Sequence, residues 1–319
     1  MKYAEAQNIP KFFSVYFVYS AVPLPLWFWP RHVGLSAFGF LVSPAFQKDD
    51  VFLADLASTR ARGRPRIWWL GQSGFLLHVD GKTVLFDPYL SDSLTRKYAQ
   101  TDKPHVRLTE CVVAPERLTG IALLASSHNH TDHLDSETLL PLLAANPHAT
   151  LLVPRANRDF VLERLPGVES RLVEIDAGES VTSAGVEFHG IPAAHNLVER
   201  DEKGRCRFLG YVARLGNLTV YHSGDTLLHD GLAPALRPFS PDLALLPING
   251  HQPERRVAGN LSGVEAAQLA KKIGARLVVP HHFDMFAFNT ASPDEFEAEC
   301  RRLGQAFRTL RNGEGMDLQ

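Results

Sequence analysis

Ser126-Ser127-His128-Asn129-His130-Thr131-Asp132-His133-Leu134-Asp135 is the stretch on which the reading of this chain turns. It packs three imidazoles and a carboxylate into six positions, the pattern H-x-H-x-D-H. At the frequencies of His and Asp in this chain, chance supplies about 1.5 × 10⁻³ copies. The apolar run before it, IALLASS (121–127), reads as a strand buried on both faces. After it, SETLLPLLAAN reads as a helix with Asp135 at its N-cap, Pro147 just past its end and Pro141 as an irregularity. A loop leaving a strand end exposes all four side chains. His128 and His130 can converge on one ion, and Asp132 and His133 can turn toward a second. Imidazole nitrogen with carboxylate oxygen suits zinc or manganese, and also iron.

Four donors do not saturate two metals, so further ligands are expected at other strand ends. His195 follows VEFHGIP (186–192), Asp225 closes YHSGD, and His281 and His282 end LVVPHH. Alone, such a His is an ordinary polar side chain and a Gly-Asp pair is an ordinary turn. Beside H-x-H-x-D-H they become candidate ligands. Alternate strand residues face opposite ways, so only one of His281 and His282 can easily serve.

Working outward, IWWLG (67–71), FLLHV (75–79) and TVLFD (83–87) read as strands, with a hairpin turn at Asp80-Gly81. A polar loop fills 88–115. TLLVP (150–154) is a strand, and Asn157 caps a helix to about Leu165. LGYVARL (209–215) and LTVYHSG (218–224) form a hairpin through Gly216-Asn217, and LALLPI (243–248) is a buried strand. Ser262 with Glu265 makes a capping box for a helix through Lys272, ended by Gly274. Ser292, Pro293 and Glu295 predict a second capping box and a helix to about Arg311. Hairpins followed by strand–helix units, twice over, predict an α/β (α+β) fold of two facing mixed β-sheets with helices on the outer faces.

The 319 residues, 45% hydrophobic and 21% charged, exclude a disordered or fibrous chain. A net charge of −2 gives no basic excess, so no nucleic acid partner is expected. The three scattered cysteines form neither a disulfide framework nor a C-x-x-C pair, which fits a reducing, cytoplasmic location. Residues 12–30, FFSVYFVYSAVPLPLWFWP, carry no charge, but Pro23, Pro25 and Pro30 limit any helix to about three turns. Residues 1–50 are therefore expected to be a hydrophobic arm. It packs on the 51–319 domain or a partner copy, touches a membrane surface, or acts as a signal or anchor; a homo-oligomer is expected.

With these residues in place, the chain resembles the metallo-β-lactamase superfamily over about 67–296. Within it the chain is most similar to the L-ascorbate-6-phosphate lactonase-like branch. The shared marks are W-W-L-G-Q-S-G (68–74), F-D-P (86–88), S-S-H-N-H-T-D-H-L-D, Y-H-S-G-D-T (221–226), L-L-P-I-N-G (245–250) and P-H-H-F-D-M-F (280–286). N-acyl-phosphatidylethanolamine phospholipase D-like relatives share the metal scheme. The resemblance implies an αββα sandwich with its site at one edge of the sheets. It implies two divalent ions, one held by His128, His130 and His195, the other by Asp132, His133 and His282, with Asp225 bridging. It selects His282 over His281, because the family places its last His two residues after the proline. No cysteine joins this ligand set, which disfavours β-lactam hydrolysis.

The expected activity is hydrolysis of a lactone or ester in a small substrate, phosphorylated or not, with Asp132 and Asp225 central to the chemistry. The alternative is a phosphodiesterase acting on a phospholipid or nucleotide, and the non-enzyme rival is a metal-binding or redox module that kept the fold. Asp87 is expected to orient a ligand His or to cap the turn at Pro88. Asp284 is expected to accept a hydrogen bond behind His282 or to donate a proton, and Asn249 and His251 to touch the substrate or its leaving group. Arg155 would meet a phosphate or simply cap its strand. Tyr16, Phe17, Trp27 and Trp29 would line an apolar mouth if the arm folds back.

Overall fold

Alternation along three short strands sets the layers. In the computed structural model, which describes residues 42–318, Ile67, Phe75, Leu77, Val84 and Phe86 face one way, and Trp68, Leu76 and Leu85 the other. The first set meets the second sheet and the second set meets helices. Both sets are buried, so these strands read as largely apolar runs rather than as an apolar–polar alternation.

In chain order the elements are α1 (Asp49–Arg62), β1 (Arg66–Trp69), β2 (Phe75–Val79), β3 (Lys82–Phe86), α2 (Ser93–Tyr98), β4 (Leu123–Ala125), α3 (Ser136–Ala145), β5 (Thr150–Pro154), α4 (Arg158–Arg164), β6 (Leu172–Ile175) and β7 (Ser180–Ser183). Then come β8 (Val186–Pro192), β9 (Leu209–Leu215), β10 (Leu218–His222), α5 (Leu232–Leu236), β11 (Leu243–Pro247), α6 (Gly263–Lys272), β12 (Leu277–His281), α7 (Asp294–Leu303) and β13 (Gly315–Asp317). One sheet has the order β13-β1-β2-β3-β4-β5-β6, the other β12-β11-β10-β9-β8-β7. Both mix parallel and antiparallel pairs. Phe86 and Ala125 of the first sheet share a core with Phe188, Tyr211 and Leu245 of the second. Phe52, Leu139 and Val161, from α1, α3 and α4, cover the outer face of the first sheet. Residues from α6 and α7, such as Ala266, Leu269 and Phe296, join the core on the second. Each fully buried Leu or Phe adds about 1.5–3 kcal/mol.

This topology positions the site. β1, β3 and β4 run in one direction within their sheet, as do β8, β10 and β12 in theirs. Their C-terminal ends therefore deliver Gln72, Asp87, His128, His195, Asp225 and His282 to one edge. Gly224 is needed at this edge. Its φ is +57°, and a Cβ there would lie 2.6 Å from the Cβ and Oγ of Ser127.

Several elements differ from the sequence expectation. The 88–115 segment contains the short α2. Asp135 occupies the N-cap position of α3, but its carboxylate accepts from the hydroxyls of Ser91 and Thr138 rather than from the helix backbone. The helix runs through Pro141. Asn157 donates to the carbonyl of Arg207 instead of capping α4. The Ser262–Glu265 capping box forms, but the one expected at Ser292 and Glu295 does not; Ser292 Oγ pairs with Asp294. The last helix stops at Leu303, not near Arg311, because Gly304 enters the left-handed region at φ +60°. No helix among the described residues is long and apolar enough to cross a membrane. The expectations for the 12–30 run, including Tyr16, Phe17, Trp27 and Trp29, fall outside the described residues.

Candidate metal centre

The edge where these strands end gathers the seven candidate ligands, the Asp225 carboxylate among them. Asp225 Oδ1 lies 3.4 Å from His133 Nε2, and its Oδ2 lies 3.5 Å from His195 Nε2 and 3.4 Å from His282 Nε2. Asp132 Oδ2 is 3.6 Å from His133 Nε2 and 3.8 Å from His282 Nε2. Ligand atoms of His128, His130 and His195 lie within 4.8 Å of one another, as do those of Asp132, His133 and His282, and those of His128, His133 and Asp225. Asp225 thus touches side chains from both expected sets.

Donor chemistry tests whether these residues suit a metal. Asp87, which follows β3, accepts from the Ser127 backbone N–H at 2.7 Å and from Ser127 Oγ at 2.6 Å. It also accepts from His133 Nδ1 at 2.6 Å. Because the Ser127 hydroxyl gives its proton to Asp87, it can only accept from His128 Nδ1, 3.0 Å away. His195 Nδ1 donates to the carbonyl of Gly259 at 2.9 Å. In all three rings Nδ1 carries a held proton and Nε2 faces the site, as in metal-binding histidines. His128 Nε2, His133 Nε2 and Asp225 Oδ1 are buried with no hydrogen-bond partner, a costly arrangement that a cation would satisfy. The donor set fits divalent transition ions.

The charges agree. Burial, with His133 and His130 alongside, holds His128 well below the ordinary imidazole range. Burial also lowers His195. Burial acts on His133 in the same sense, but the carboxylates of Asp225, Asp87 and Asp132 outweigh it and hold the ring well above that range. His282 is raised in the same way, burial being overcome by Asp225 and Asp132.

His281 and His282 separate as the strand geometry requires. His282 leaves β12 with φ +63° and its backbone N–H donates to the carbonyl of Gln72. Its ring reaches Asp225. His281 points into the core, where it stacks on His222 at 5.3 Å and pairs with Ser73 Oγ.

Three residues expected to touch substrate or support the site do not line the cavity. Asn249 is buried behind the cavity lining, its amide accepting from Asn260 and donating to Asn289, which lines the cavity. His251 is exposed, and its ring packs on Gly259 outside the cavity. Asp284 is exposed and lines a different hollow beside Phe46 and Arg311. Each follows a strand end, but the chain turns away before the side chain can enter the site. Arg155 forms a two-pronged ion pair with Glu179.

Other residues do enter. Gln72 Nε2 lies 2.9 Å from Asp132 Oδ2 and 3.0 Å from His282 Nε2. Arg255 donates to the Asn249 carbonyl, Asn289 Oδ1 and the Thr290 carbonyl, clasping the 249–260 loop, which carries Gly259, to the 283–290 loop. The centre floors a cavity of about 600 Å³ walled by Tyr98, His105, Phe286 and Phe288. Gln72 lay inside a quoted motif; the others carry no spacing signature.

Residues 82–283 match the model of the beta-lactamase superfamily domain. The chain belongs to the metallo-β-lactamase superfamily. Within it the chain belongs with the UPF0173 metal-dependent hydrolases. One from Rubrobacter xylanophilus is 30% identical over 76% of this chain and 91% of its own. Another, from Myxococcus xanthus, is 28% identical over 82% of this chain and 85% of its own. A metallo hydrolase structure from Ignicoccus hospitalis superposes with a TM-score of 0.59, covering 80% of this chain and 98% of its own at 22% identity, which supports the fold.

Proposed function

We propose that this metal-dependent hydrolase cleaves an ester or lactone bond in a small molecule, using two divalent ions, zinc or manganese. The observation that carries the reading is the position of Asp225, within 3.5 Å of histidines from both ligand sets. His128, His130 and His195 would hold one ion, Asp132, His133 and His282 the other, and Asp225 both. Ions held there supply Lewis acidity and a water acidified toward hydroxide near neutral pH.

The protein's own groups do the rest. Asp87 keeps the Nδ1 protons of His133 and, through Ser127, of His128 in place, so that both Nε2 lone pairs stay turned to the site. Gln72 steadies Asp132. The aromatic wall excludes water from one side of the substrate. A 600 Å³ cavity lies in the range of small-molecule sites, which favours a compact substrate over a polymer. The resemblance to the lactonase-like branch supports lactones within that class.

The test is hydrolysis by the metal-loaded protein across panels of lactones, aryl esters and phosphodiesters. Turnover of lactones or esters, lost in Asp225→Ala, is expected. Turnover confined to phosphodiesters would overturn the ester reading.

A further inference from the structure

Beyond the metal ligands, the cavity carries an uneven charge. Its carboxylates are Asp132 and Asp225, both on the floor among imidazoles, whereas Lys97, Lys103, Arg164 and Arg256 stand around it. Two of these cations are already engaged. Arg164 donates to the carbonyls of Asn129 and Leu134 and lies 4.3 Å from the Phe160 ring centroid. Arg256 is paired with Asp102.

Arg164, like the two lysines, has no carboxylate partner among the described residues, but its guanidinium is held by two carbonyls and a ring, whereas each lysine ammonium makes a single hydrogen bond. Lys97, at the end of α2, donates to Thr131 Oγ1 at 3.2 Å, and its Nζ lies 5.2 Å from the Tyr98 ring centroid. Thr131 separates His130 from Asp132, so this ammonium stands one hydrogen bond from the ligand loop. Lys103 Nζ donates to the carbonyl of Arg256, joining the two loops across the mouth. His105 Nδ1 donates to the carbonyl of Lys103, and its ring stacks on Tyr98 at 4.5 Å and meets Phe286 edge-on at 5.3 Å. Two lysines without a carboxylate partner therefore border a wall of aromatic rings.

Resting on the hydrolase reading, we propose that Lys97 and Lys103 recognise an anionic group, a carboxylate or a phosphate, on a substrate whose apolar part packs among the rings of Tyr98, His105 and Phe286. Backbone and hydroxyl acceptors satisfy part of each ammonium's three donors and leave the charge to a ligand. Ions on the floor would add to the same field, so anions are drawn in and neutral molecules are not.

The test uses the full, metal-loaded chain and three ring-bearing probes: benzoate, phenyl phosphate and benzyl alcohol. Calorimetric affinities are compared for wild type, Lys97→Met/Lys103→Met, and a control, Lys271→Met/Lys272→Met, that changes net charge equally on exposed residues of α6. Methionine keeps the apolar stem, and Lys97 is exposed, so the variant should fold; circular dichroism checks this. At least one anion should bind wild type and the control tenfold or more tightly than benzyl alcohol, and the Lys97/Lys103 variant should lose about tenfold. The tighter of the two anions identifies the group. Equal anion affinity in wild type and that variant, or no preference for anions over benzyl alcohol, would overturn the proposal. Hydrolysis of 4-nitrophenyl acetate by wild type, measured alongside, tests the hydrolase reading on its own. Hydrolysis without anion preference defeats only the lysine site, and anion preference without hydrolysis of any ester defeats only the reading beneath it.

Discussion

Replacing Asp87 by asparagine removes a single charge behind the metal centre without changing its size. Asp87 is buried and accepts three hydrogen bonds, from the Ser127 N–H at 2.7 Å, and from Ser127 Oγ and His133 Nδ1 at 2.6 Å each. Asparagine offers one acceptor oxygen. If that oxygen stays on the Ser127 N–H, the new NH₂ faces the His133 Nδ1–H and the Ser127 hydroxyl. If it flips, the NH₂ faces the Ser127 N–H. In either orientation at least one buried donor is stranded, costing about 1–3 kcal/mol, and a short bond to a charged acceptor is lost as well. The metal-free variant should lose about 2–4 kcal/mol of stability by this reasoning. His133 loses the group that fixes its ring, so metal affinity should fall about 10–100-fold. Thermal unfolding of the stripped protein reads the first effect, and competition with a chromophoric chelator reads the second. A folded Asp87→Asn protein with wild-type metal affinity would refute the orienting role and leave Asp87 as a turn residue before Pro88.

Other expectations follow from the same geometry. His282→Ala should lose one metal and orders of magnitude in turnover. His281→Ala should keep both ions and lose about 1–3 kcal/mol through its vacated core position; metal stoichiometry of the pair decides, and metal loss in His281→Ala would reverse the assignment. Arg255→Met should loosen the clasp on the 249–260 loop, raising KM several-fold and weakening the metal held by His195, as read by steady-state kinetics and chelator competition. His133 and His282 are raised, so their contribution to metal-free stability is present below about pH 6.5 and is lost as pH rises through their folded values. Their Nε2 protons must leave for a metal to bind, so affinity should climb with pH above about 6.5 and uptake at pH 7 should release protons. Calorimetry in two buffers of different ionisation heat measures the release, and identical heats would contradict it.

Much of the candidate centre was legible because the residues able to bind a metal are of few types and here each follows a strand. H-x-H-x-D-H, His195, Asp225 and His282 carry that signature, and the sheets bring them to one edge. Asn249, His251 and Asp284 carry the same signal yet do not line the cavity, because closeness to a strand end does not say which way the next turn carries the side chain. Asn249 instead ties loops together through Asn260 and Asn289. Gln72 and Ser127 lie inside the shared motifs and Arg255 in none, but the roles of all three are hydrogen bonds across 60, 40 and 34 residues of chain, which no local pattern records. α2 was missed because a six-residue helix in a polar segment has too few positions to show a period. α7 was drawn too long because its polar, amphipathic pattern continues past the glycine that ends it.

The most direct measurement of the central claim is elemental analysis of the metal-stripped protein after titration with zinc or manganese, alongside ester or lactone hydrolysis at each ratio. About two ions per chain, with turnover returning as the second binds and both lost in Asp225→Ala, is the expected result. Wild-type uptake indistinguishable from that of a folded Asp225→Ala variant, or full uptake without any hydrolysis, would contradict it.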